Sequence, residues 1–398
     1  MTDRPRVLHL GKYYAPVKGG IETYVQSLSV RMKDYFDLQV VVANLDRTTL
    51  NETVDGVQVM RCGTLCKLSS APICTGMIDA IRRFRPDLLH IHLPNPGAVM
   101  AYLLSGHVCP VVVSYHSDVV RQTVLNWGFV PILKRLLDRS AAIVTASPGY
   151  VETSPVLRGY RDRCRVIPYG ISPTAFENTD PRTVSGIRER YGSRIVLGVG
   201  RLVYYKGFDY LIRAMQGVQG TLLIIGEGPL HGPLTQLIRQ MNLQDRVHLL
   251  GGIEDAAPYY HAADVFCLPS IARSEAFGIV QLEAMACGKP VVNTALKSGV
   301  PFVSVNRVTG LTVPPADAGA LTGALNHLLD NEAERLSYGE AARQRLHRHF
   351  TVDIMTRQVF ELYREIISHP AASSLPAFVA LEHALPSGFR LAQSNPGD

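Results

Sequence analysis

Apolar runs of five to seven residues recur along this chain in two successive series, each run separated from the next by a longer stretch of helical periodicity. The first series is Val7–Gly11, Leu38–Ala43, Leu88–Leu93, Val111–His116 and Ala141–Ser147. The second is Arg194–Gly200, Gly220–Gly226, Arg246–Leu250, Val265–Ser270 and Pro290–Thr294. Runs of this kind predict strands buried on both faces, as in parallel sheets covered by helices. Stretches such as Ile21–Met32, Gly76–Arg85, Phe208–Met215 and Leu234–Met241 supply the crossovers. Two series therefore predict an α/β protein of two doubly wound, Rossmann-like domains, and 398 residues exceed what one core comfortably holds. The expected bounds are 1–175 and 190–350, with Pro173–Arg190 as linker and late helices at Ala333–His349 and Val352–Ser368. The Pro-, Ser- and Ala-rich stretch 370–398 is expected to be poorly ordered.

Composition narrows the function classes. A hydrophobic content of 46% with 19% charged residues describes a globular chain. No apolar run approaches the roughly 20 residues of a membrane span. Met1–Arg6 leads straight into the first strand without a signal-peptide core, which predicts a cytoplasmic protein. The seven cysteines include no Cys-x-x-Cys pair, and no His/Cys cluster accompanies Cys62 and Cys66, so free thiols are expected. The net charge of +6 suits phosphate-bearing substrates or an anionic surface. No basic and aromatic interleaving resembles a nucleic-acid module, so no nucleic-acid partner is expected.

The most informative chemistry lies in Ser274-Glu-Ala-Phe-Gly-Ile-Val-Gln-Leu-Glu283, which follows an apolar strand directly. Such a strand delivers Glu275 and Glu283 to the ligand-binding edge of a parallel sheet. On a continuous helix the two acids would be roughly 12 Å apart, about the reach of a nucleotide-sugar from hexose to ribose. Gly278 permits close backbone approach and the helix start favours phosphate. The plain alternative is two solvated acids on an ordinary helix. Arg201 and Lys206 follow the strand Arg194–Gly200, where cations point into the crevice of an open α/β sheet. A guanidinium fork and a flexible ammonium there can stabilise a departing diphosphate. Gly19-Gly20, behind Lys18 and before Glu22, can expose amides to an anion or simply turn the chain.

Gly198-Val-Gly200 and Gly226-Glu-Gly228 each lack the third glycine of a dinucleotide fingerprint, so no NAD site is expected. His116 ends its strand. His90 and His92 share one strand face and with His116 outline a metal triad, but no carboxylate pattern accompanies them; His92 is instead expected to line an acceptor cleft. The segment Arg121–Arg139 interleaves Trp127, Phe129, Leu133, Leu136 and Leu137 with Lys134, Arg135 and Arg139. It can rest on an anionic bilayer or pack on its own sheet.

Taken together, these segments resemble the retaining glycosyltransferases of family 4, which have the GT-B fold. The acid pair at 275 and 283 is similar to that family's paired-glutamate motif, and Gly200-Arg201 through Lys206-Gly207 to its phosphate-binding cations. Gly19-Gly20-Ile-Glu22 resembles its N-terminal glycine loop, Val166–Ile171 its interdomain segment, and Gly310–Pro315 its late strand. The likeness spans about residues 7 to 368, in the family's order. It implies a metal-independent, retaining hexosyltransferase with no cofactor, its last helix (351–369) crossing back to the first domain. Arg201, Lys206, Gly19 and Gly20 would hold the donor diphosphate, and Glu283 the ribose. Glu275 with Phe277, Gly278 and Ile279 would grip the sugar, and His116 would support it from the first domain. Loops at Gly226–Pro229 and Gly251–Ile253 would flank the base.

Overall similarity implies GDP-mannose as donor and a glycan or lipid-linked oligosaccharide as acceptor, in bacterial surface-polysaccharide assembly. Peripheral contact with the inner face of the plasma membrane is part of that expectation. The chain departs from the family at Ser298-Gly-Val-Pro-Phe302, where Phe302 replaces an acid. An epimerase of the same architecture and a non-catalytic sugar-nucleotide-binding protein are the alternatives.

Overall fold

The computed structural model describes residues 4–17, 19–68, 71–118 and 123–369. Lys18, Arg121 and the 370–398 stretch lie outside them, as do the side chains of 67–68 and 123–128, Trp127 included. Among the described residues, ten strands belong to the first half: β1 (Arg6–Leu10), β2 (Asp37–Ala43), β3 (Leu50–Val54), β4 (Val57–Cys62), β5 (Cys66–Leu68), β6 (Ala71–Ile73), β7 (Leu88–Leu93), β8 (Val111–Tyr115), β9 (Ala142–Thr145) and β10 (Cys164–Val166). The second half contributes β11 (Ile195–Val199), β12 (Thr221–Ile225), β13 (Val247–Gly251), β14 (Val265–Leu268), β15 (Val291–Thr294) and β16 (Gly310–Val313).

The first sheet runs β10-β9-β8-β7-β1-β2-β4-β3 and the second β13-β12-β11-β14-β15-β16. Pairing is parallel throughout the second sheet. In the first, only β3 runs antiparallel, against β4. That edge hairpin and the small β5–β6 ribbon are absent from the expected series. The signal for the hairpin lies in Asp55-Gly56, both with positive φ (52° and 78°), the dipeptide of a two-residue turn between alternating strands. Polar, half-exposed edge strands carry no long apolar run, so a search for buried strands passes over them.

In each sheet the chain first builds outward on one side, then returns to the other side of its starting strand. The switch falls between β1 and β7 in the first sheet, and between β11 and β14 in the second. Ligands of open α/β sheets bind at such points, beyond the carboxyl ends of the strands. Each sheet is covered by helices on both faces, producing two apolar cores per half.

The segment expected to be a linker is instead largely helical, at Thr174–Glu177 and Pro181–Tyr191. Asp180 caps the second of these helices through Arg182 N, Pro181 occupies its first turn, and Ile187 is buried in the second half's core. Arg188 also pairs with Asp264 at 3.1 Å. The chain crosses between halves at 167–171 and returns at 350–352. These crossings bond to each other through Ile171 N to Phe350 O (3.0 Å) and Val352 N to Ile171 O (2.8 Å). Thr351 then caps the helix Val352–Ser368, which buries Met355, Val359, Leu362, Tyr363 and Ile366 against the first half.

The helix Thr123–Arg139 is present, and Leu136 and Leu137 are fully buried in the first core with Phe129 and Leu133 packed against it. Those apolar groups are occupied by their own sheet, while Lys134, Arg135 and Arg139 are exposed. No described helix is long and apolar enough to cross a membrane. All seven cysteines are free.

Candidate active site

The β11 loop turns sharply at Gly200 (φ 149°) and passes through a 3₁₀ turn, Tyr204–Lys206, to Gly207 (φ 66°). Gly200 is required by its dihedral and Gly207 by both its dihedral and close approach. A side chain at Gly200 would meet the Lys206 ammonium at 3.1 Å, and one at Gly207 would overlap Pro269 O beyond β14. The β11 and β14 loops are thereby locked side by side. Lys206 and Glu275 are each only 8% exposed, and their Nζ and Oε2 are 2.6 Å apart. Ser270 Oγ donates to the same carboxylate oxygen at 3.1 Å. Arg201 is exposed at the mouth of this loop. Its charge, with those of Glu275 and Lys206, acts on the neighbouring Tyr205 hydroxyl. Sequence positions 201, 206 and 275 thus converge.

Glu283 reaches the same crevice by another route. The residues between the two acids are not continuously helical: the helix spans only Val280–Ala286, and Gly278 (φ 77°) turns the chain ahead of it. A Cβ at Gly278 would approach Leu268 Cδ2 to 2.6 Å, so glycine is needed both for its dihedral and for space. Glu283 Oε2 accepts a 2.6 Å hydrogen bond from Tyr260. Burial pushes the Glu283 carboxyl up, while the Tyr260 bond and the Lys206 charge pull it back down. Phe277 is buried, and its ring meets Tyr169 of the interdomain segment at 4.9 Å.

The first half supplies the opposite wall. Gly19 is extended (φ −179°) and precedes the helix Gly20–Met32. A Cβ on Gly20 would lie 3.4 Å from Ile279 Cδ1, which places the glycine loop directly across from the 275–283 motif. The loop at Gly226 bonds to Gly251 O (2.7 Å), and Glu227 O accepts from Leu202 N (2.9 Å). The Gly226 loop therefore flanks the β11 turn, and the Gly251 loop lies on its far side.

His116, one residue past β8, is 6% exposed. Its Nδ1 is 2.6 Å from Tyr169 Oη and its Nε2 is 3.3 Å from His92 Nδ1. Both ring nitrogens are engaged inside the first half. His92 is 1% exposed, so it does not line a cleft as expected; it lies within the sheet among other rings. Among the described residues, the three histidines whose ligand atoms lie within 4.8 Å of one another are His9, His90 and His92, not the trio of His90, His92 and His116 that the sequence outlines. Phe302, at the departing position, packs on Phe350, and its carbonyl accepts from Arg345.

Several contributors have no signal in the motifs. Arg273, just before the acid motif, pairs with Asp118 from the first half at 3.0 Å and donates to Lys297 O at 3.1 Å. Asp118 also accepts from Tyr115 and Ser154, both at 2.8 Å. This latch joins residues 155 positions apart. Tyr260 acts through a partner 23 residues away and Ser270 through Glu275 five residues on, while Tyr169, inside the interdomain segment, meets His116 and Phe277. The assembled crevice offers cations and exposed backbone to a polyanion, and carboxylates to hydroxyl groups.

Known families and proteins are similar to this chain over most of its length. The profile described as Glycosyl transferases group 1 matches residues 183–345, and that of the Glycosyl transferase 4-like domain matches 19–170. The D-rhamnosyltransferase WbpZ of Pseudomonas aeruginosa is 33% identical over 87% of this chain and 92% of its own length. The O-antigen chain mannosyltransferase C of Escherichia coli is 32% identical over 91% of this chain and 99% of its own. Among solved structures, sucrose-phosphate synthase from Thermosynechococcus elongatus superposes with a TM-score of 0.77 at 24% identity, covering 92% of this chain and all of that one. Anabaena HepE in complex with UDP and glucose gives 0.75 at 20% identity, covering 91% and 100%. These two likenesses concern the fold.

Proposed function

We propose, for a chain that belongs to the group 1 glycosyl transferases, that this enzyme transfers a hexose of manno configuration from a nucleoside diphosphate, with retention, to a hydroxyl of a glycan or lipid-linked acceptor. The observation that carries the assignment is the shielded 2.6 Å pair of Lys206 and Glu275 at the switch point of the second sheet, facing the Gly19–Gly20 loop. Arg201 and Lys206 take the diphosphate, where negative charge grows as the glycosidic bond breaks. The amides of Gly19 and Gly20 assist from the other half. Glu275, steadied by Ser270, holds both the ammonium and the sugar hydroxyls beside Phe277, Gly278 and Ile279. Glu283, set by Tyr260, accepts from the ribose.

His116 and Tyr169 form the first-half side of the sugar site. Retention follows from attack on the face the diphosphate leaves, with a phosphate oxygen taking the acceptor proton, so neither carboxylate serves as a nucleophile. The Arg273–Asp118 latch closes the crevice and excludes water from the activated donor.

The manno configuration is supported by relatives named for mannosyl and D-rhamnosyl transfer, the latter a 6-deoxymannose, and the GDP donor by more distant relatives named as GDP-mannose-dependent mannosyltransferases. A role in surface-polysaccharide assembly is supported by the O-antigen relative. Release of nucleoside diphosphate from GDP-mannose, GDP-rhamnose and UDP-glucose, with and without lipid-linked acceptors, tests the assignment; NMR of the product gives the anomeric outcome. Acceptor-dependent release from a GDP sugar with retained configuration is expected. Equal turnover without acceptor, or inversion, would refute it. For the exposed cations Lys134, Arg135 and Arg139, binding to anionic liposomes in a flotation assay is expected at low salt and lost at high salt. No binding at low salt removes the membrane contact.

A further inference from the structure

Four buried histidines in the first half are joined into a single file. His116 Nδ1 meets Tyr169 Oη at 2.6 Å, and His116 Nε2 meets His92 Nδ1 at 3.3 Å. His92 Nε2 meets His9 Nδ1 at 3.1 Å, and His9 Nε2 meets Tyr363 Oη at 3.2 Å. Tyr363 Oη also bonds to His90 Nδ1, and His90 Nε2 meets Ser114 Oγ at 2.8 Å. The file therefore runs from Ser114 of β8 and His90 of β7, across Tyr363 of the last helix, and back through His9 of β1 and His92 of β7 to His116 and the interdomain Tyr169 against Phe277. None of the four rings is more than 6% exposed. Burial drives all four histidines toward the neutral form, His9 and His116 to about 3.

A neutral imidazole has one donor and one acceptor nitrogen. Every ring nitrogen in the file faces a partner, so fixing the proton in one link fixes it in all. Only two arrangements satisfy the file: all four rings protonated at Nε2, or all four at Nδ1. The ends decide between them. In the Nε2–H arrangement Tyr169 donates to His116, which uses its one hydroxyl proton. Ser114 accepts from His90, and its freely rotating hydroxyl proton is the one left without a partner in the file. In the Nδ1–H arrangement Tyr169 accepts, and its buried hydroxyl proton has no acceptor in the file. A phenolic proton held near its ring plane has fewer directions in which to find another acceptor than a serine proton, so the second arrangement is the costlier.

We infer that His9, His90, His92 and His116 share one tautomer, Nε2–H, and that Tyr363, His9, His90 and His92 are positioning residues that hold His116 and Tyr169 as the sugar-side wall. The same three imidazoles of His9, His90 and His92 lie close enough to suggest a metal. Each of their nitrogens is already engaged in the file, however, and a metal would have to break it.

The effect on turnover rests on the proposed glycosyl transfer; the tautomer order does not. Histidine labelled with ¹⁵N, read by long-range proton–nitrogen NMR correlation, distinguishes the tautomers directly. Four neutral Nε2–H rings are expected in the wild type. Tyr363→Phe removes a single oxygen at the junction, leaving His9 Nε2–H without an acceptor. His9, His92 and His116 should then show mixed tautomers, and kcat should fall about tenfold, one neutral hydrogen bond's worth, with donor KM unchanged.

Mixed or Nδ1–H rings in the wild type, or a stoichiometric bound transition metal, would overturn the inference. So would altered tautomers with unaltered kcat. If Tyr363→Phe does not fold, the wild-type spectrum still decides, and Tyr169→Phe tests the polarity from the other end by removing the donor that sets it. A wild type that transfers no sugar but shows four Nε2–H rings would sink the proposed function and leave the ordered file intact.

Discussion

Replacing Lys206 by Met separates the two roles of its ammonium. The side chains of Lys206 and Glu275 are only 10% and 11% exposed, so their 2.6 Å contact is little screened by solvent. Methionine fills much of the lysine stem and leaves Glu275 as a buried carboxylate whose remaining side-chain partner is the neutral Ser270 hydroxyl. Breaking such a pair from one side costs about 3–5 kcal/mol. For a domain of this size that corresponds to a fall in Tm on the order of 10 °C. The double variant Lys206→Met/Glu275→Gln has no buried charge and should recover most of that loss. Turnover should behave differently. Removing one cation from the departing diphosphate is expected to lower kcat by roughly 10²–10³, and the double variant cannot restore it. Calorimetry and nucleoside diphosphate release, measured on wild type, both single variants and the double, complete the cycle. A single variant with wild-type Tm would show that the pair is solvated rather than buried. A double variant with wild-type kcat would refute the assignment of Lys206 to the leaving group.

Tyr260→Phe deletes the hydroxyl that donates to Glu283 and helps keep its carboxyl from rising further. Donor KM should rise by about tenfold, the value of a hydrogen bond to a charged group, and the loss should grow as pH falls; calorimetric titration at two pH values checks this. The four buried histidines bind protons in the unfolded chain near their ordinary 6.5 but not in the fold, where His9 and His116 are lowered to about 3. Their contribution to stability is complete above pH 6.5 and is lost as pH falls toward 3, by up to about 1.4 kcal/mol per pH unit for each. A Tm that stays flat from pH 7 to pH 5 would contradict it. Arg273→Ala should open the crevice, raising the radius of gyration by solution scattering and increasing donor hydrolysis relative to transfer. An unchanged radius and partition would mean that the latch does not hold the halves together.

Much of the architecture was legible in local pattern because burial on both faces of a strand leaves a continuous apolar run wherever it occurs. Helix bounds such as Val352–Ser368 followed from spacing alone. The nearness of Glu275 and Glu283 to a sheet edge followed from the strand that precedes them. The antiparallel β3–β4 edge escaped the same logic, since its residues alternate and half of them face water. The prolines and polar residues of Pro173–Arg190 suggest a linker, although Asp180 and Pro181 start a helix there once Ile187 has a core to enter.

Strand order was decided only in three dimensions, and everything at the site depends on it. A run of valines states that a strand is buried, not which strand lies beside it. Placing β14 against β11 sets Lys206 on Glu275, placing β7 between β1 and β8 lines up His9, His92 and His116, and docking the last helix delivers Tyr363 to them. Hydrogen bonds and ion pairs act over about 3 Å, whereas the chain separates these partners by tens to hundreds of residues. Local sequence therefore determined which groups this protein owns and which of them would be buried; the packing of the two sheets determined which of those groups meet.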